Sequence, residues 1–366
     1  MDLKFFPIES RIRDFIEFPR LIYAYNEYMK NEDDLLQYIN TKEFLDMIQH
    51  GENLLKPYEK DIEKFYIKPI WFRSDFPYLI LNSNSIFGYE HEEDFLNSLL
   101  SLDEYQIKQS IIYSILSDDD KFKHTDKEIM NNAMVLSKNN GDMMAFIKDL
   151  PIDAADKWNI YLIIEDPINY MKMYVELMFT LLPIYQNFYR DLEDSVNYYG
   201  QSLVDVLNKQ GVTGLKDITF DFVDNSMLSD ETNNILISVI HAYSILLGSS
   251  DDIPYFIWGN KVEDAFKAMK EKNENKLNER VLIFKNLGDK TRYEVVKLIA
   301  AGESSTKKIA TTLEVSSATI SYHLNALVNA KIIKLDKSNN KFAYIIDWDF
   351  IESAFNDLKA DLCIKN

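Results

Sequence analysis

The stretch Ser304–Tyr344 reads SSTKKIATTLEVSSATISYHLNALVNAKIIKLDKSNNKFAY, and its pattern decides the architecture of the C-terminal quarter of the chain. Its first part, Thr306–Leu313, is predicted to be a short helix. Ile309, Ala310 and Leu313 share one face at helical spacing and can pack inward. The small side chain of Ala310 suits a close crossing of two helices.

A tight turn and a second helix follow. Glu314–Ser316 is predicted to form the turn, with Val315 as its buried side chain. Ser316 or Ser317 can cap the second helix by accepting a hydrogen bond from a free backbone N–H. The apolar stripe of this second helix consists of Ile320, Leu324 and Leu327. The other side of the helix is therefore predicted to be polar and free to meet a partner.

Two short strands close the pattern. Ile332–Leu335 and Phe342–Ile346 are predicted to pair, and Asp336–Lys341 is predicted to form the tip between them. Helix, turn, helix and hairpin in this order are typical of a winged helix-turn-helix, which places its second helix in the major groove of DNA.

The polar residues of the second helix and of the hairpin are the candidate DNA contacts, because hydroxyl, amide and ammonium groups can reach base edges and phosphate oxygens. Two alternatives stay open: His323 could be a packed histidine, and Lys337 could be only solvated. The full set is Ser316, Ser317, Thr319, Ser321, Tyr322, His323, Asn325, Lys337, Asn339 and Lys341.

With the segment Leu287–Arg292, which opens another apolar-periodic helix, the pattern resembles the DNA-binding domain of the ArsR family of bacterial transcriptional regulators. Asp289 fits the helix start as an N-cap. The resemblance covers roughly residues 280–362, under a quarter of the chain. The matching positions are Leu287, Asp289, Thr291 and Arg292, then Ser316, Thr319, Ser321, His323 and Leu324.

Three departures from the family pattern affect the expected function. Lys290 replaces the usual proline, and Tyr322 and Asn325 stand where basic residues are common. Metal-sensing members carry cysteines in the first motif helix or Asp, His and Glu sets in the C-terminal helix. The only cysteine here is Cys363, and one thiol cannot form a multi-thiolate site. We therefore expect no metal, no cofactor and no arsenic or zinc sensing of that type.

The C-terminal helix, predicted over Asp349–Leu362, carries an apolar stripe. In the family this helix, with one near Glu279–Leu287, builds a two-fold dimer. A homodimer is therefore expected, since a reader of two half-sites needs a self-complementary interface. The alternative is that the stripe packs on its own domain. The stripe consists of Phe350, Ile351, Ala354, Phe355, Leu358 and Leu362.

Composition sets the broad class of protein. The 366 residues are 46% hydrophobic, as expected for a globular chain of two or three domains. Met1–Ser10 lacks the basic and apolar regions of a signal peptide, and no run of apolar residues reaches membrane-spanning length. A cytoplasmic protein without membrane contact is the expectation.

The net charge of −19 is unevenly distributed. Residues 279–346 carry a net charge of +5, whereas the chain before residue 279 carries −21. Because acidic groups repel phosphates, the N-terminal part is expected to face away from the duplex. The basic patch is modest, so weak non-specific DNA affinity is expected.

The chain before residue 260 predicts a large helical domain with minor β structure, so the fold class is mainly α with a C-terminal winged helix-turn-helix. Helical spacing marks Phe15–Tyr28, Phe44–Leu55, Phe95–Leu116, Ile129–Ile147, Tyr170–Tyr189 and Leu236–Leu247. The strand candidates, which could form a small sheet, are Met1–Phe6, Asp217–Val223 and Pro254–Trp258.

Three domains are expected from these patterns. Residues 1–260 form a regulatory domain for a ligand or partner, 261–278 a charged connecting helix, and 279–366 the DNA-binding domain with its dimerisation helix. The segment Lys261–Arg280 lacks Pro and Gly, which predicts a solvated joining helix rather than a loose linker.

The tyrosines and methionines clustered within residues 161–199 either line an apolar ligand cavity or form the core of the helical domain. No phosphate-binding glycine loop, nucleophile elbow or paired metal-binding histidines occur in the sequence, so no enzymatic activity is expected. The leading hypothesis is a sequence-specific regulator, expected to be a repressor, that binds double-stranded DNA and senses a small-molecule effector or partner. The alternative is an interaction scaffold whose winged helix binds protein.

Overall fold

The computed structural model describes residues 2–24, 42–66, 75–120, 126–225, 234–250, 253–273, 276–338 and 341–362. The chain divides into two compact units. The N-terminal unit comprises Lys4–Ser202 and Asn234–Asn260. The C-terminal unit comprises Met1–Leu3, Leu203–Asn233 and Lys261–Asn366. Both units are therefore discontinuous in sequence.

Helices dominate the N-terminal unit. They are α1 (Pro7–Glu17), α2 (Lys42–Leu55), α3 (Glu59–Tyr66), α4 (Phe76–Leu81), α5 (Glu92–Leu100), α6 (Glu104–Asp120), α7 (Asp126–Ser137), α8 (Asn140–Asp149), α9 (Ala154–Glu165) and most of α10 (Pro167–Gln210). Short 3-10 turns at Phe18–Arg20 and Lys56–Tyr58 follow α1 and α2. The helix α10 continues past Ser202, so its last turns belong to the C-terminal unit.

A four-stranded sheet completes this unit. Its strands are β1 (Lys4–Phe5), β2 (Asn234–Ser238), β3 (Ile245–Ser250) and β4 (Ile253–Gly259). Their order is β1-β2-β4-β3; β1 and β4 run parallel to β2, and β3 runs antiparallel to β4. The predictions of strands at the N-terminus and at Pro254–Trp258 are confirmed.

Polar side chains of α1 fasten this helix to the carboxyl end of β2. Asp14 is fully buried and accepts hydrogen bonds from Ser238 Oγ (2.5 Å) and from the backbone N–H of Val239 (2.8 Å). Ser10 Oγ accepts from the Ile237 N–H at 2.9 Å. Burial raises the pKa of Asp14 to about 6, and these bonds partly oppose the shift.

Aromatic residues form much of the core of the N-terminal unit. Tyr185 packs between Phe15 and Phe18, with ring centroids 5.1 and 5.4 Å away. Its hydroxyl donates to the Arg11 carbonyl at 2.7 Å, so the buried polar atom is satisfied. Tyr174 is likewise buried, with its hydroxyl 3.3 Å from that of Tyr66. These contacts favour the core interpretation of the tyrosine cluster over a ligand cavity.

Four predictions for the N-terminal part are wrong. Leu236–Leu247 is not a helix but the end of β2 and the start of β3. Asp217–Val223 is not a strand, because its first three residues lie in α11 (Val212–Thr219) and Phe220 and Asp221 have left-handed backbone conformations. The single helices predicted over Phe95–Leu116 and Ile129–Ile147 are each two helices, separated at residues 101–103 and 138–139.

The C-terminal unit contains α11, α12 (Val262–Asn273), α13 (Lys276–Leu287), α14 (Lys290–Ala300), α15 (Thr306–Thr312), α16 (Ser317–Asn329), β5 (Ile333–Ser338), β6 (Lys341–Ile346) and α17 (Trp348–Asp361). Its core is a cluster of aliphatic side chains that includes Val295, Ile309 and Leu327. The helix-turn-helix is confirmed to within one residue at the end of its first helix. The hairpin is confirmed too, although its strands extend further towards the tip than predicted.

The joining segment is not solvated throughout. Its described residues are helical, in α12 up to Asn273 and in α13 from Lys276. On α12, Val262, Ala265 and Met269 are buried. Their helical spacing gives α12 an apolar face that packs inside the unit, and the dense charges of the segment masked this face in the sequence. The functional division at residues 260 and 278 stays a prediction.

An upstream segment lies beside the wing within the C-terminal unit. Val223 bridges Leu335 of β5 in parallel, and the Asp224 N–H donates to the Leu335 carbonyl at 3.2 Å. Before this contact, Phe220 and Asp221 both adopt left-handed backbone conformations, with φ of 51° and 62°. These conformations end α11 and turn the chain towards β5.

None of the described helices is long and apolar enough to cross a membrane.

Candidate nucleic-acid interface

The helix α16 presents one apolar and one accessible side. Ile320, Leu324 and Leu327 are buried in the core of the unit, as predicted from their spacing. Ala318, Tyr322 and Asn325 are exposed at intervals of four and three residues, which places them on one face. We call Ala318, Tyr322 and Asn325 the reading face. Two of its members were predicted contacts; Ala318 was missed because it carries no polar atom, although a methyl group can contact thymine.

Four hydroxyls lie in the first turns of α16. Ser316 is the N-cap, accepting from the Thr319 N–H at 3.0 Å, and its Oγ lies 2.8 Å from Thr319 Oγ1. Ser321 Oγ donates to the Ser317 carbonyl at 2.9 Å. Ser316 is exposed, whereas Ser317, Thr319 and Ser321 are half-buried. These hydroxyls already make hydrogen bonds within the helix. A bond to a phosphate or a base would therefore be an additional bond to the same oxygen.

The turn before α16 has the predicted form. Glu314 has a φ of 57°, and the Val315 N–H donates to the Ala310 carbonyl at 3.0 Å. Val315 packs against the core cluster. The left-handed residue therefore reverses the chain while the apolar side chain fixes the crossing of α15 and α16.

His323 lies in a different environment from the reading face. Only 9% of its surface is exposed, and its Nδ1 accepts from Arg292 Nε at 3.4 Å. Burial lowers the pKa of His323; Arg292 also lowers it, while Asp289 raises it. The ring is therefore held neutral, and its contacts favour the alternative of a packed histidine.

Arg292 is a residue of this site that sequence reasoning missed, apart from its match to the family motif. Its Nη1 donates to Asn286 Oδ1 at 2.7 Å, and its guanidinium carbon lies 5.8 Å from the centroid of the Tyr322 ring. Asn286, also missed, is 2% exposed and donates to the Leu282 carbonyl at 2.8 Å. The signal available in the sequence was a charged residue three positions after the helix cap Asp289, whose carboxylate accepts from the Arg292 N–H at 2.9 Å.

The wing places two predicted contacts on adjacent strands. Lys337 pairs with Phe342, and Lys341 pairs with Ser338, at the tip end of the hairpin. Asn339 lies outside the described residues, as do the side chains of both lysines. The base of the wing is held by Lys334, whose Nζ lies 3.4 Å from Asp347 and 3.9 Å from Asp224.

Among the described residues, no group of three or more His, Cys, Asp or Glu side chains is arranged to hold a metal ion. The sole cysteine, Cys363, lies outside them.

A helix-turn-helix with an exposed second helix and a two-stranded wing defines the winged helix-turn-helix class of protein. Residues 287–336 match the model of a helix-turn-helix domain family. Over 67 residues the chain is 43% identical to the uncharacterized HTH-type transcriptional regulator MJ1325 of Methanocaldococcus jannaschii, covering 18% of this chain and 75% of that protein.

Two further relatives match a similar share of the chain. The chain is 32% identical over 88 residues to the transcriptional repressor SdpR of Bacillus subtilis, covering 21% of this chain and 97% of that protein. It is 29% identical over 70 residues to the arsenical resistance operon repressor of Staphylococcus xylosus, covering 19% of this chain and 67% of that protein. No solved structure matches significantly. The chain belongs to the ArsR family of helix-turn-helix transcriptional regulators.

Proposed function

We propose that this regulator binds double-stranded DNA by placing the reading face of α16 in the major groove, with the wing against the adjacent backbone. The observation that carries the proposal is the exposure of Ala318, Tyr322 and Asn325 on one side of a helix whose other side is buried. The charge distribution supports it, because the net charge of +5 over residues 279–346 favours approach to phosphates.

We propose further that the chain represses transcription. Two of its relatives are named as repressors. A protein that occupies DNA near a promoter can act by exclusion alone and needs no catalytic group, so no enzymatic turnover is proposed.

We propose a homodimer built on α13 and α17. Val281 and Leu362 are apolar and 57% and 62% exposed, and Phe355 is also exposed while touching Phe284 at 5.6 Å between ring centroids. Burial of such side chains against a second copy removes apolar surface from water. It would also give the two-fold symmetry that a pair of half-sites requires.

The N-terminal unit is proposed to sense a small-molecule effector or a partner. A signal bound there can alter DNA binding only if it has different affinity for the two states of the protein. The chain offers a covalent route for such coupling, because α10 begins in the N-terminal unit and its last turns belong to the C-terminal unit.

The signal is proposed not to be arsenic or zinc bound in the manner of the family's metal sensors. The first helix of the motif, α15, has no cysteine, and α17 has no histidine. The similarity to an arsenical resistance repressor therefore does not carry the thiolate ligands that such sensing requires.

The test is a gel-shift titration of the full chain on DNA upstream of its own gene against scrambled DNA, at two salt concentrations. Selective, salt-sensitive retention is expected. The double substitution Thr319→Ala with Ser321→Ala should weaken selective retention more than retention of scrambled DNA, because hydroxyls near the groove contribute to base reading.

The matched control is Thr180→Ala, since this exposed threonine of α10 makes the same kind of bond to the carbonyl four residues earlier (2.9 Å). Equal losses on both DNAs would make Thr319 and Ser321 phosphate contacts only. Absence of any preference by the unsubstituted chain would contradict sequence-specific binding and favour the interaction scaffold, which partner capture would then test.

A further inference from the structure

We infer that Arg292 and His323 act together as positioning residues, which fix the orientation of α16 and of the Tyr322 ring on its reading face. The inference deepens the proposed function and rests on it. It gives His323 a role through Arg292 rather than through a DNA contact.

The first support is the connectivity of the Arg292 guanidinium. It donates to Asn286 at the end of α13 (2.7 Å) and to His323 on α16 (3.4 Å), while its own backbone lies in the first turn of α14. Asn286 is itself fixed by its bond to the Leu282 carbonyl. One side chain thus joins three helices, and only one of them carries the reading face.

The second support is the position of Tyr322. The residue is 48% exposed, yet its ring centroid lies 5.8 Å from the guanidinium carbon of Arg292 and 5.4 Å from the centroid of the His323 ring. A cation over a tyrosine face is attractive, and the edge-on histidine restricts the ring further. An aromatic side chain held in one orientation loses less conformational entropy when it enters the groove.

The third support is the protonation state of the His323 ring. Its Nδ1 can accept from Arg292 only when that nitrogen carries no proton. Protonation would replace this bond by the repulsion of two cations. The charged groups that act on the ring are Arg292, which opposes protonation, and Asp289, which favours it. Because burial is the largest influence and lowers the pKa of His323, the accepting form prevails at neutral pH.

The direction of the pH effect follows. The pKa of His323 is lower in the folded protein than in the unfolded chain, where it is about 6.5. Such a histidine contributes its full stabilisation of the folded arrangement above about pH 6.5. The support is lost as the pH falls through 6.5 towards the lower, folded pKa. Selective DNA binding should therefore weaken on mild acidification. A histidine that contacted phosphate directly would have the opposite effect, because its positive charge would strengthen binding.

The experiment measures retention of the full chain on DNA upstream of its own gene, relative to scrambled DNA, between pH 7.5 and 5.5. His323→Asn retains an oxygen acceptor near the Nδ1 position but cannot titrate. His323→Leu removes the acceptor, and Arg292→Gln removes the donor set. Lys297→Gln is the control, because it removes an exposed charge of α14 that pairs with Glu294 of the same helix.

The unsubstituted chain is expected to lose about tenfold in selective retention over this range, the magnitude of one hydrogen bond involving a charged group. His323→Asn should bind within about twofold of it at pH 7.5 and show little pH dependence. His323→Leu and Arg292→Gln should be weakened about tenfold at every pH, and Lys297→Gln should behave as the unsubstituted chain. Circular dichroism of each variant separates loss of folding from loss of orientation.

Two results would overturn the inference while leaving the proposed function standing. One is an undiminished pH dependence in His323→Asn. The other is a loss of discrimination confined to a single base pair in His323→Asn, which would make His323 a direct reader. If the unsubstituted chain showed no preference for its own upstream DNA, the proposed function would fail first, before any substitution is compared.

Discussion

Glu17 lies at the centre of a buried cluster of charged side chains in the N-terminal unit. Its carboxylate is almost wholly buried, and it pairs with Arg13 and Arg20 and lies 3.3 Å from His241 Nε2. Arg20 also binds Asp75, at 2.8 Å from one carboxylate oxygen. Burial alone would raise the pKa of Glu17, but the neighbouring cations hold it well below its usual value. The carboxylate is therefore charged throughout the physiological range.

Replacing Glu17 by Gln should destabilise the N-terminal unit by about 3–5 kcal/mol, because two guanidinium groups lose a buried counter-charge. Urea unfolding monitored by tryptophan fluorescence measures the change. Glu63→Gln, an exposed acidic residue of the same unit, is the control and should change stability by less than about 0.5 kcal/mol. Equal stability of both variants would show that Arg13 and Arg20 find water or other acceptors when Glu17 is neutral.

Some single-residue roles could be predicted from the sequence, and others could not. The caps at Asp289 and Ser316 were predictable, because a cap is a local bond to an N–H three residues on. The environment of His323 was not, since its partner lies 31 residues away. Helical spacing placed His323 beside the apolar stripe but did not show which charged group it would meet.

At the scale of elements, the segment after α11 packs against the wing and helps to hold it in place. Phe222 is buried and stacks on Phe266 of α12, with centroids 5.9 Å apart. Lys331, at the start of the wing, lies 5.4 Å from the Phe222 ring centroid and 3.1 Å from Glu279 Oε1. Phe222 thus contacts both the helix before the DNA-binding motif and the root of its hairpin.

Phe222→Ala should destabilise the C-terminal unit by about 3–5 kcal/mol, as expected for removal of a buried phenyl ring. It should also weaken selective DNA retention, although Phe222 precedes the motif in sequence by more than sixty residues. Thermal unfolding and gel shift measure the two effects. Tyr198→Ala, which removes an exposed aromatic ring, is the control and should leave both unchanged. Unaltered DNA retention by a folded Phe222→Ala chain would show that the wing does not depend on this segment.

The elements differ in how far the sequence revealed them. The helices α15 and α16 carry their own N-caps, turn and apolar stripes between Ser305 and Asn329, so local rules sufficed. The strand β2 was mistaken for a helix because its partners are distant in sequence, with β1 more than 220 residues earlier. Its apolar run is continuous, as expected for a strand with parallel neighbours on both sides, and such a run does not distinguish strand from helix.

At the scale of the whole molecule, the DNA-binding unit is assembled from separate parts of the chain. The compact C-terminal unit includes Leu203–Asn233 and α12 as well as the residues after 278, for which the sequence predicts a DNA-binding domain. This could not be inferred locally, because the bridge between Val223 and Leu335 joins residues over one hundred positions apart. The winged helix itself was predictable, since its pattern is contiguous.

Assembly into a dimer gives the last prediction. Val281 is 57% exposed on α13, so exchange for Glu should cost the folded chain little. In a two-fold interface the same change would bury a carboxylate and bring it near its copy, which is costly without a partner cation. Val281→Glu should therefore raise the dissociation constant of the dimer at least about tenfold, equivalent to about 1.4 kcal/mol.

Sedimentation equilibrium over a range of protein concentrations measures the constant, with a protomer mass of 42.9 kDa as the lower limit. Val135→Glu is the matched control, because Val135 is 66% exposed on a helix of the N-terminal unit. It should leave the dissociation constant unchanged. If the unsubstituted chain sedimented as a protomer at all concentrations, the exposed apolar residues of α13 and α17 would need another partner. If both variants weakened the dimer equally, the interface would extend beyond these helices to the N-terminal unit.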